Sequence, residues 1–247
     1  MPVGGRELPD THHALEIENL TGPLGQRIYY ALRNSILDLS LEPGMALRKG
    51  ALCEQLGVSR SPVAEALGRL SSDGLVDIIP QSVTRVSRFS MSELREESFL
   101  RDAIEVSAVG KVAKERTDEQ LRKLKRNLQM QNLLVADGDF QGFFEADLAF
   151  HDLILAFTGY PKVALAADQM SLQLRRARVL ILPEKGRKAE SVMEHKAILD
   201  AIEAQDVNAA KRAMSRHLSH LITRVAPLEL HRPEYFRTHR KSNDDAR

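Results

Sequence analysis

The first 90 residues contain helical and then β-type patterns of apolar positions. One helical face is marked by Leu24, Ile28, Leu32, Ile36 and Leu39. A short helix over 49–56 follows, and a longer one begins near residue 59 and runs to about residue 73. Two β-prone runs, 75–79 and 84–87, are about four residues apart and predict a small hairpin. Helix, short helix, helix and hairpin is the order of elements in a winged helix-turn-helix.

From residue 90 onward the pattern changes to long amphipathic helices, and no further strand is predicted. Candidate capping pairs are Ser90 with Glu93, Thr117 with Gln120, and Ser191 with Glu194. Asp139 and Asp206 are single capping candidates. The predicted helices cover about 90–115, 117–136, 139–157, 162–182, 191–204 and 206–224. The expected fold is therefore mainly α, with an N-terminal winged helix-turn-helix and a C-terminal all-helical bundle.

The predicted organisation is a flexible arm over residues 1–19, a DNA-binding domain over 20–89, a helical domain over 90–224 and a tail over 225–247. The chain has 247 residues, of which 43% are hydrophobic and 28% are charged, as in soluble globular proteins. Cys53 is the only cysteine, which excludes an intramolecular disulfide and favours a reducing compartment. No apolar run approaches the length of a membrane helix. A cytoplasmic protein without a membrane partner is expected.

Charge is distributed unevenly along the chain. The formal net charge is only +1, which excludes a uniformly basic nucleic-acid binder but not a local basic patch. Residues 21–90 carry eight basic and six acidic side chains, and six of the basic ones lie from Arg48 onward. Arg60 lies at the N-terminus of the third helix, where a guanidinium can bind a guanine edge with two hydrogen bonds. The alternative is a small solvated domain whose arginines are only surface charges.

The segment 47–86, LRKGALCEQLGVSRSPVAEALGRLSSDGLVDIIPQSVTRV, resembles the DNA-binding domain of the GntR family of bacterial transcription regulators. The resemblance implies that Arg60 contacts bases, that its neighbours lie against the DNA backbone, and that the hairpin tip reaches the minor groove. The expected DNA-contacting residues are Arg48, Lys49, Ser59, Arg60, Ser61, Pro62, Gln81, Thr84 and Arg85. Ala64 stands where the family usually has a second arginine, and Val83 where the wing usually has a glycine. A different operator preference and a different wing shape are therefore expected.

Three helices of the predicted bundle each carry metal-competent groups on an otherwise apolar face. Asp147 and His151 are four residues apart and lie on the same side of one helix. His195 and His217 lie on the apolar stripes of two later helices. Burying such groups unpaired costs roughly 1–3 kcal/mol each, and one divalent cation would satisfy them together. The alternative is that each histidine is a hydrogen-bonded core residue.

Two further polar residues lie close to these histidines in the sequence. His220 lies three residues after His217 and competes for the role of ligand, but it is rotated off the main stripe. Glu194 is interpreted as the capping partner of Ser191.

The helical region resembles the FCD ligand-binding domain of the FadR subfamily of GntR regulators. The matching motifs are FLRDAIE, ADLAFHDLI, EHKAILDAI and AAKRAMSRHL. The resemblance implies that Asp147, His151, His195 and His217 bind a divalent metal ion. This donor set suits zinc or nickel, with manganese or iron as alternatives.

The resemblance also implies that the metal and nearby basic residues hold the carboxylate of a small organic acid. Arg101 is the first candidate clamp, because an arginine offers a carboxylate two parallel hydrogen bonds. Arg175, Arg176 and Arg178 are further candidates, and at least one of them is expected to face solvent. Arg101 and Arg178 are the residues assigned to the effector site.

The expected function is a one-component transcriptional regulator that represses a catabolic or transport operon until a metabolite binds. Because one winged domain carries little charge, we expect a homodimer that reads a near-palindromic operator. A metal-dependent enzyme is the competing hypothesis, although the chain has no HExxH motif and no carboxylate clearly placed as a base. A pure metal sensor is the third hypothesis.

Overall fold

The computed structural model describes residue 15 and residues 17–79, 83–170 and 172–237. These residues form two compact units. The first consists of the described residues up to Met91 together with those from Ala226 onward, and the second is Ser92–Val225. Most of the predicted arm, residues 1–19, lies outside the described residues.

The first unit contains the winged helix-turn-helix. Its elements are α1 (Leu24–Leu37), β1 (Ala46–Leu47), α2 (Lys49–Leu56), α3 (Arg60–Ser72), β2 (Val76–Asp77) and β3 (Thr84–Val86). The strands form an antiparallel sheet in the order β1-β3-β2, with Ala46 opposite Arg85 and Val76 opposite Val86. The three helices and the hairpin confirm the sequence-based prediction. Strand β1 is absent from that prediction because two residues are too few to show an alternating pattern.

Helices α1 and α3 pack their apolar faces together in the core of the first unit. Ile28 and Leu32 of α1 and Leu67 and Leu70 of α3 are fully buried, and burying each such side chain contributes about 1.5–3 kcal/mol. Helix α2 ends at Gly57, whose φ of 62° lies in the left-handed region that glycine adopts without steric cost. This packing buries one face of α3 and leaves its N-terminal turn exposed.

The second unit is all helical within its described residues, as the sequence predicts. Its helices are α4 (Met91–Glu115), α5 (Asp118–Asp137), α6 (Phe140–Phe157), α7 (Pro161–Met170), α8 (Leu172–Ile181), α9 (Arg187–Glu203) and α10 (Val207–Val225). Helix α5 packs against α6 and α9, and α10 packs against α8 and α9. The apolar side chains of α4, α5, α6, α9 and α10 form one continuous core. None of the helices in the described ranges has both the length and the apolar character of a membrane span.

The predicted caps at Thr117, Asp139 and Asp206 are present in this unit. Thr117 and Gln120 form a reciprocal capping box, and the Asp139 side chain accepts the Gly142 N–H. The predicted capping pair of Ser191 and Glu194 is wrong. Helix α9 begins at Arg187, a turn before Ser191, so both residues lie inside the helix and their side chains are free for other contacts.

The C-terminal segment belongs to the first unit and is not only a tail. It contains α11 (Leu228–His231) and a 3-10 turn over Pro233–Tyr235. The Phe89 N–H donates to the Tyr235 carbonyl at 2.9 Å, and the Arg237 N–H donates to the Phe89 carbonyl at 2.8 Å. The Phe89 and Phe236 rings lie 5.6 Å apart, and Phe236 is 3% exposed. The predicted tail therefore includes a packed segment, which the sequence pattern misses because a single buried aromatic residue shows no periodicity.

Candidate functional site

The four predicted metal ligands meet inside the second unit. Helix α6 supplies Asp147 and His151, α9 supplies His195 and α10 supplies His217, and all four side chains are buried. One ring nitrogen of each histidine lies within 4.8 Å of a ring nitrogen of the other two. The aligned inner faces of three packed helices thus bring the residues into one cluster, as the sequence pattern implies.

Each histidine ring is held through its Nδ1 atom. His151 Nδ1 lies 2.6 Å from Glu105, His217 Nδ1 lies 2.6 Å from Glu194, and His195 Nδ1 lies 2.8 Å from the Gln131 amide oxygen. Ionised carboxylates only accept hydrogen bonds, so Nδ1 of His151 and of His217 carries the proton. Burial opposes ionisation of Glu105 and Glu194, but their arginine and histidine neighbours outweigh it and lower the pKa of both carboxyl groups.

The Nε2 atoms of His151 and His217 face each other inside the cluster, 3.2 Å apart. His195 Nε2 is 3.6 Å from an Asp147 oxygen and has no hydrogen-bond partner among the described residues. Burial lowers the pKa of all three imidazoles, that of His151 to about 4, so the rings are neutral near pH 7. Ring nitrogens of three neutral imidazoles lie within 4.8 Å of one another beside the Asp147 carboxylate, and this set of residues fits a divalent cation.

Arg178 is the arginine of α8 that reaches this cluster. Its Nη2 donates to Asp147 Oδ2 and lies 3.4 Å from His151 Nε2, and the Ser191 hydroxyl donates to Asp147 Oδ1 at 3.1 Å. Burial opposes ionisation of Asp147, but Arg178 and the histidines outweigh it and lower the pKa of the carboxyl group. Burial also lowers the pKa of Arg178 to about 10, so the guanidinium remains charged at neutral pH.

The other candidate arginines for the effector site differ in their surroundings. Arg101 Nε donates to Glu105 Oε1 at 2.5 Å, so Arg101 supports the carboxylate that holds His151. Arg176 is fully buried and donates to Gln173 at 2.7 Å. Arg175 is half-buried and is the most exposed of the three neighbouring arginines on α8.

Two cavities border the cluster, and both are lined by Arg101 and Arg178. One has about 320 Å³ of space, including its open part, and is also lined by Asp147, Arg187 and His217. The other has about 440 Å³ and extends past His151 toward α7. Each cavity therefore presents three guanidinium groups close to the histidines, with Arg187 as the third in the first cavity and Arg175 in the second.

Sequence reasoning missed the residues that hold the histidine rings. Glu105 falls in a quoted motif without a role, Gln131 has no motif, and Glu194 is interpreted as a cap. Glu194 instead accepts hydrogen bonds from Arg187 at 2.9 and 2.9 Å and contacts His217 and His220. The one available signal is its spacing, because Glu194 lies 23 residues before His217 on the neighbouring helix.

The second predicted site lies at the start of α3. Ser59, Arg60 and Ser61 are exposed there, and Pro62 is half-buried. Ser59 occupies the N-cap position, but its side chain makes no cap hydrogen bond. The hydroxyl and the first amides of α3 are therefore available to an anion such as a DNA phosphate. Arg48 and Lys49 are exposed at the start of α2.

The wing agrees less well with the expected DNA contacts. Thr84 is 7% exposed, so its side chain packs inside the unit and the assignment as a DNA contact is wrong on accessibility. Strand alternation explains this burial, because Thr84 and Val86 point to the same face of β3. Arg85 is half-buried and donates to the Gly44 carbonyl at 3.0 Å. Gln81 lies outside the described residues.

The two units match two known protein families. Residues 24–86 match the bacterial regulatory proteins of the gntR family, and residues 98–220 match the FCD domain. An HTH-type transcriptional regulator in an unstable DNA locus of Streptomyces ambofaciens is 35% identical over 211 residues, which cover 85% of this chain and 89% of the relative. The chain belongs to the GntR family. This GntR protein is a DNA-binding transcriptional regulator and not an enzyme.

Two further comparisons agree with this assignment. The HTH-type transcriptional repressor RspR of Escherichia coli K12 is 29% identical to this chain over 218 residues, which cover 88% of this chain and 96% of RspR. The solved structure of E. coli McbR/YncC superposes with a TM-score of 0.71 at 22% identity, over 84% of this chain and 99% of that one. The second likeness shows a shared fold and confirms the predicted fold class.

Proposed function

We propose that this GntR regulator is a repressor whose helical domain binds a divalent metal ion together with a small organic acid. In this proposal the protein acts as a homodimer on a near-palindromic operator, and the acid relieves repression. The similarity to the repressor RspR supports the direction of control. The modest charge of the winged domain supports a dimer, because two half-sites double the phosphate contacts.

The observation that carries the metal proposal is the Nε2 of His195, which has no hydrogen-bond partner in the part of the chain that the structure describes. It is buried 3.6 Å from an Asp147 oxygen, and the centre of its ring lies 5.2 Å from that of His151 and 4.7 Å from that of His217. Leaving such an acceptor unsatisfied costs about 1–3 kcal/mol. Zinc or nickel suits three imidazoles and a carboxylate, with manganese or iron as alternatives. When bound, the metal would satisfy these lone pairs and offer a remaining position to an acidic ligand.

The carboxylate part of the proposal rests on the arginines of the two cavities. Arg178 already binds one carboxylate, that of Asp147, inside a buried site. Arg101 and Arg187 line the same cavity. A guanidinium binds a carboxylate with two parallel hydrogen bonds, and burial strengthens the pairing. A small organic acid is therefore the ligand class that this cavity favours.

Control of DNA binding requires that the acid bind one conformational state more tightly than the other. Saturating ligand can change the balance of the two states only by this difference in affinity. A pure metal sensor is the alternative, in which the ion alone changes DNA affinity.

A thermal-shift screen of the full-length protein against small organic acids tests the proposal. Zinc-loaded protein is compared with chelator-treated protein and with the Arg178→Gln variant, using Arg212→Gln as a control at an exposed site. We expect at least one acid to raise the Tm of the loaded protein, because a ligand that binds only the folded state stabilises it. The shift should be lost in Arg178→Gln and kept in Arg212→Gln. Equal shifts with and without metal would contradict the proposal, and a change of DNA affinity with zinc alone would favour the metal sensor.

A further inference from the structure

Gln131 on α5 is fully buried and lies between His195 and the backbone of α6. Its Nε2 is 2.7 Å from the Asn127 side-chain oxygen and 3.3 Å from the Ala146 carbonyl. The Asn127 amide nitrogen itself donates to the Ala146 carbonyl at 3.0 Å, which leaves the Asn127 oxygen as an acceptor. Both neighbours of this end of Gln131 are acceptors, so this end must be the amide nitrogen.

The other end of the same amide is then the oxygen, and it faces His195 Nδ1 at 2.8 Å. An amide oxygen only accepts, so Nδ1 must carry the ring proton and Nε2 must carry the lone pair. The stacking of the Phe150 ring on His195, with 4.3 Å between ring centres, keeps the imidazole in this plane. A fixed backbone carbonyl thus orients Asn127, Asn127 orients Gln131, and Gln131 orients His195.

We propose that Gln131 is a positioning residue that fixes the tautomer of His195 and thereby makes its Nε2 a metal ligand. The inference rests on the proposed metal function for its consequence, but the tautomer itself can be measured without metal. Groups that hold the outer nitrogen of a ligating histidine raise metal affinity by about 10–100-fold.

A neutral residue at this position is consistent with the charges around it. The carboxylates that hold the other two histidines are each paired with an arginine, Glu105 with Arg101 and Glu194 with Arg187. The contacts of Gln131 are instead an amide and a carbonyl. An ionised carboxylate here would be buried without a matching cation, which is costly. An amide supplies the required acceptor without that cost.

Nitrogen NMR of the histidine rings in metal-free, full-length protein tests the tautomer directly. We expect the His195 ring to carry its proton on Nδ1 in the wild type and in the exposed α5 control Gln129→Met. In Gln131→Met the proton should move to Nε2 or divide between the two nitrogens. The Gln131→Glu variant should keep the proton on Nδ1, as in the wild type. One of its carboxyl oxygens accepts a hydrogen bond from Nδ1 whether the group is ionised or protonated.

Zinc and nickel titrations against a competing chelator test the consequence. We expect Gln131→Met to raise the Kd about 10–100-fold and Gln129→Met to leave it unchanged. A proton on Nε2 of His195 in the wild type would overturn the inference without recourse to any variant. An unchanged tautomer or an unchanged Kd in folded Gln131→Met would also overturn it. A wild type with the Nδ1 proton but without metal affinity would contradict the proposed metal function, while the role of Gln131 in fixing the tautomer would stand.

Discussion

His217 is bound through Nδ1 to Glu194 at 2.6 Å, and its Nε2 faces the Nε2 atom of His151. Glu194 lies on α9 and His217 on α10, so the contact joins the two helices beside the candidate metal site. Because the carboxylate accepts a hydrogen bond from the Nδ1–H, it fixes Nε2 as the nitrogen of His217 that is free for a metal. Arg187 neutralises the carboxylate with two hydrogen bonds of 2.9 Å.

Substitution of Glu194 by glutamine should weaken metal binding about 10-fold. The glutamine amide can still accept a hydrogen bond from Nδ1. It lacks the negative charge that makes the imidazole Nε2 a stronger ligand for a metal cation. The measurement is a zinc titration by competition with a chelator. Glu203→Gln is the matched control, because Glu203 is an exposed carboxylate on the same helix. Equal Kd values for the two variants would show that Glu194 does not support the ligand.

Arg60→Ala should reduce specific DNA binding about 10-fold or more, because each bidentate contact with a guanine contributes about 1–3 kcal/mol of discrimination. Arg60 is exposed at the first position of α3, so its removal should leave the fold intact. Binding is measured by mobility shift on sequences that the wild-type protein selects from a random DNA library. Lys123→Ala, on α5 of the helical unit, is the control. Unchanged DNA binding by Arg60→Ala would contradict the assignment of α3 as the helix that contacts the DNA bases.

Phe236→Ala should destabilise the winged unit by about 3 kcal/mol, the usual cost of removing a buried phenylalanine ring. The ring contacts Phe89 and is nearly fully buried. Hydrogen exchange in the segment 84–90 is the appropriate measurement, because the two units need not unfold together. Leu230→Ala, at a side chain that is 84% exposed, is the control. If both variants exchange like the wild type, the packing of residues 226–237 on this unit contributes nothing to its stability.

Glu97 should make stability depend on pH. Burial raises its pKa to about 7, against the modest opposing effect of the Leu174 N–H that donates to it at 3.3 Å. A carboxyl group whose pKa is higher in the folded state favours folding at low pH, and this contribution is lost as the pH rises from about 4.5 to about 7.

Glu97→Gln removes this penalty, so its stability relative to the wild type should rise by ~1–2 kcal/mol between pH 5 and pH 8. Urea unfolding of metal-free protein at both pH values gives the difference, and Glu96→Gln is an exposed neighbouring control. A difference that stays constant over this pH range, or one that matches the control, would contradict the assigned pKa.

The long helices could be predicted because their apolar residues recur with helical periodicity. The four candidate ligands could be predicted because they lie on these apolar faces. Asp147 and the three histidines occupy inward positions of α6, α9 and α10, and the packing of those helices brings them together. Gln131 and Glu194 could not be predicted in this way. Their roles depend on contacts with other helices across 64 and 23 residues of sequence. Thr84 shows the reverse error, since its polarity suggests a surface contact and its strand position buries it.

Metal content per chain tests the central claim most directly. The full-length wild type and His195→Ala are purified after expression with added zinc and analysed for all first-row metals, with His231→Ala as an exposed control. The account predicts about one metal ion per chain in the wild type and in His231→Ala, and little or none in His195→Ala, because His195 supplies the unpartnered Nε2 of the cluster. Equal metal content in folded wild-type and His195→Ala protein, or a wild type without metal, would contradict it.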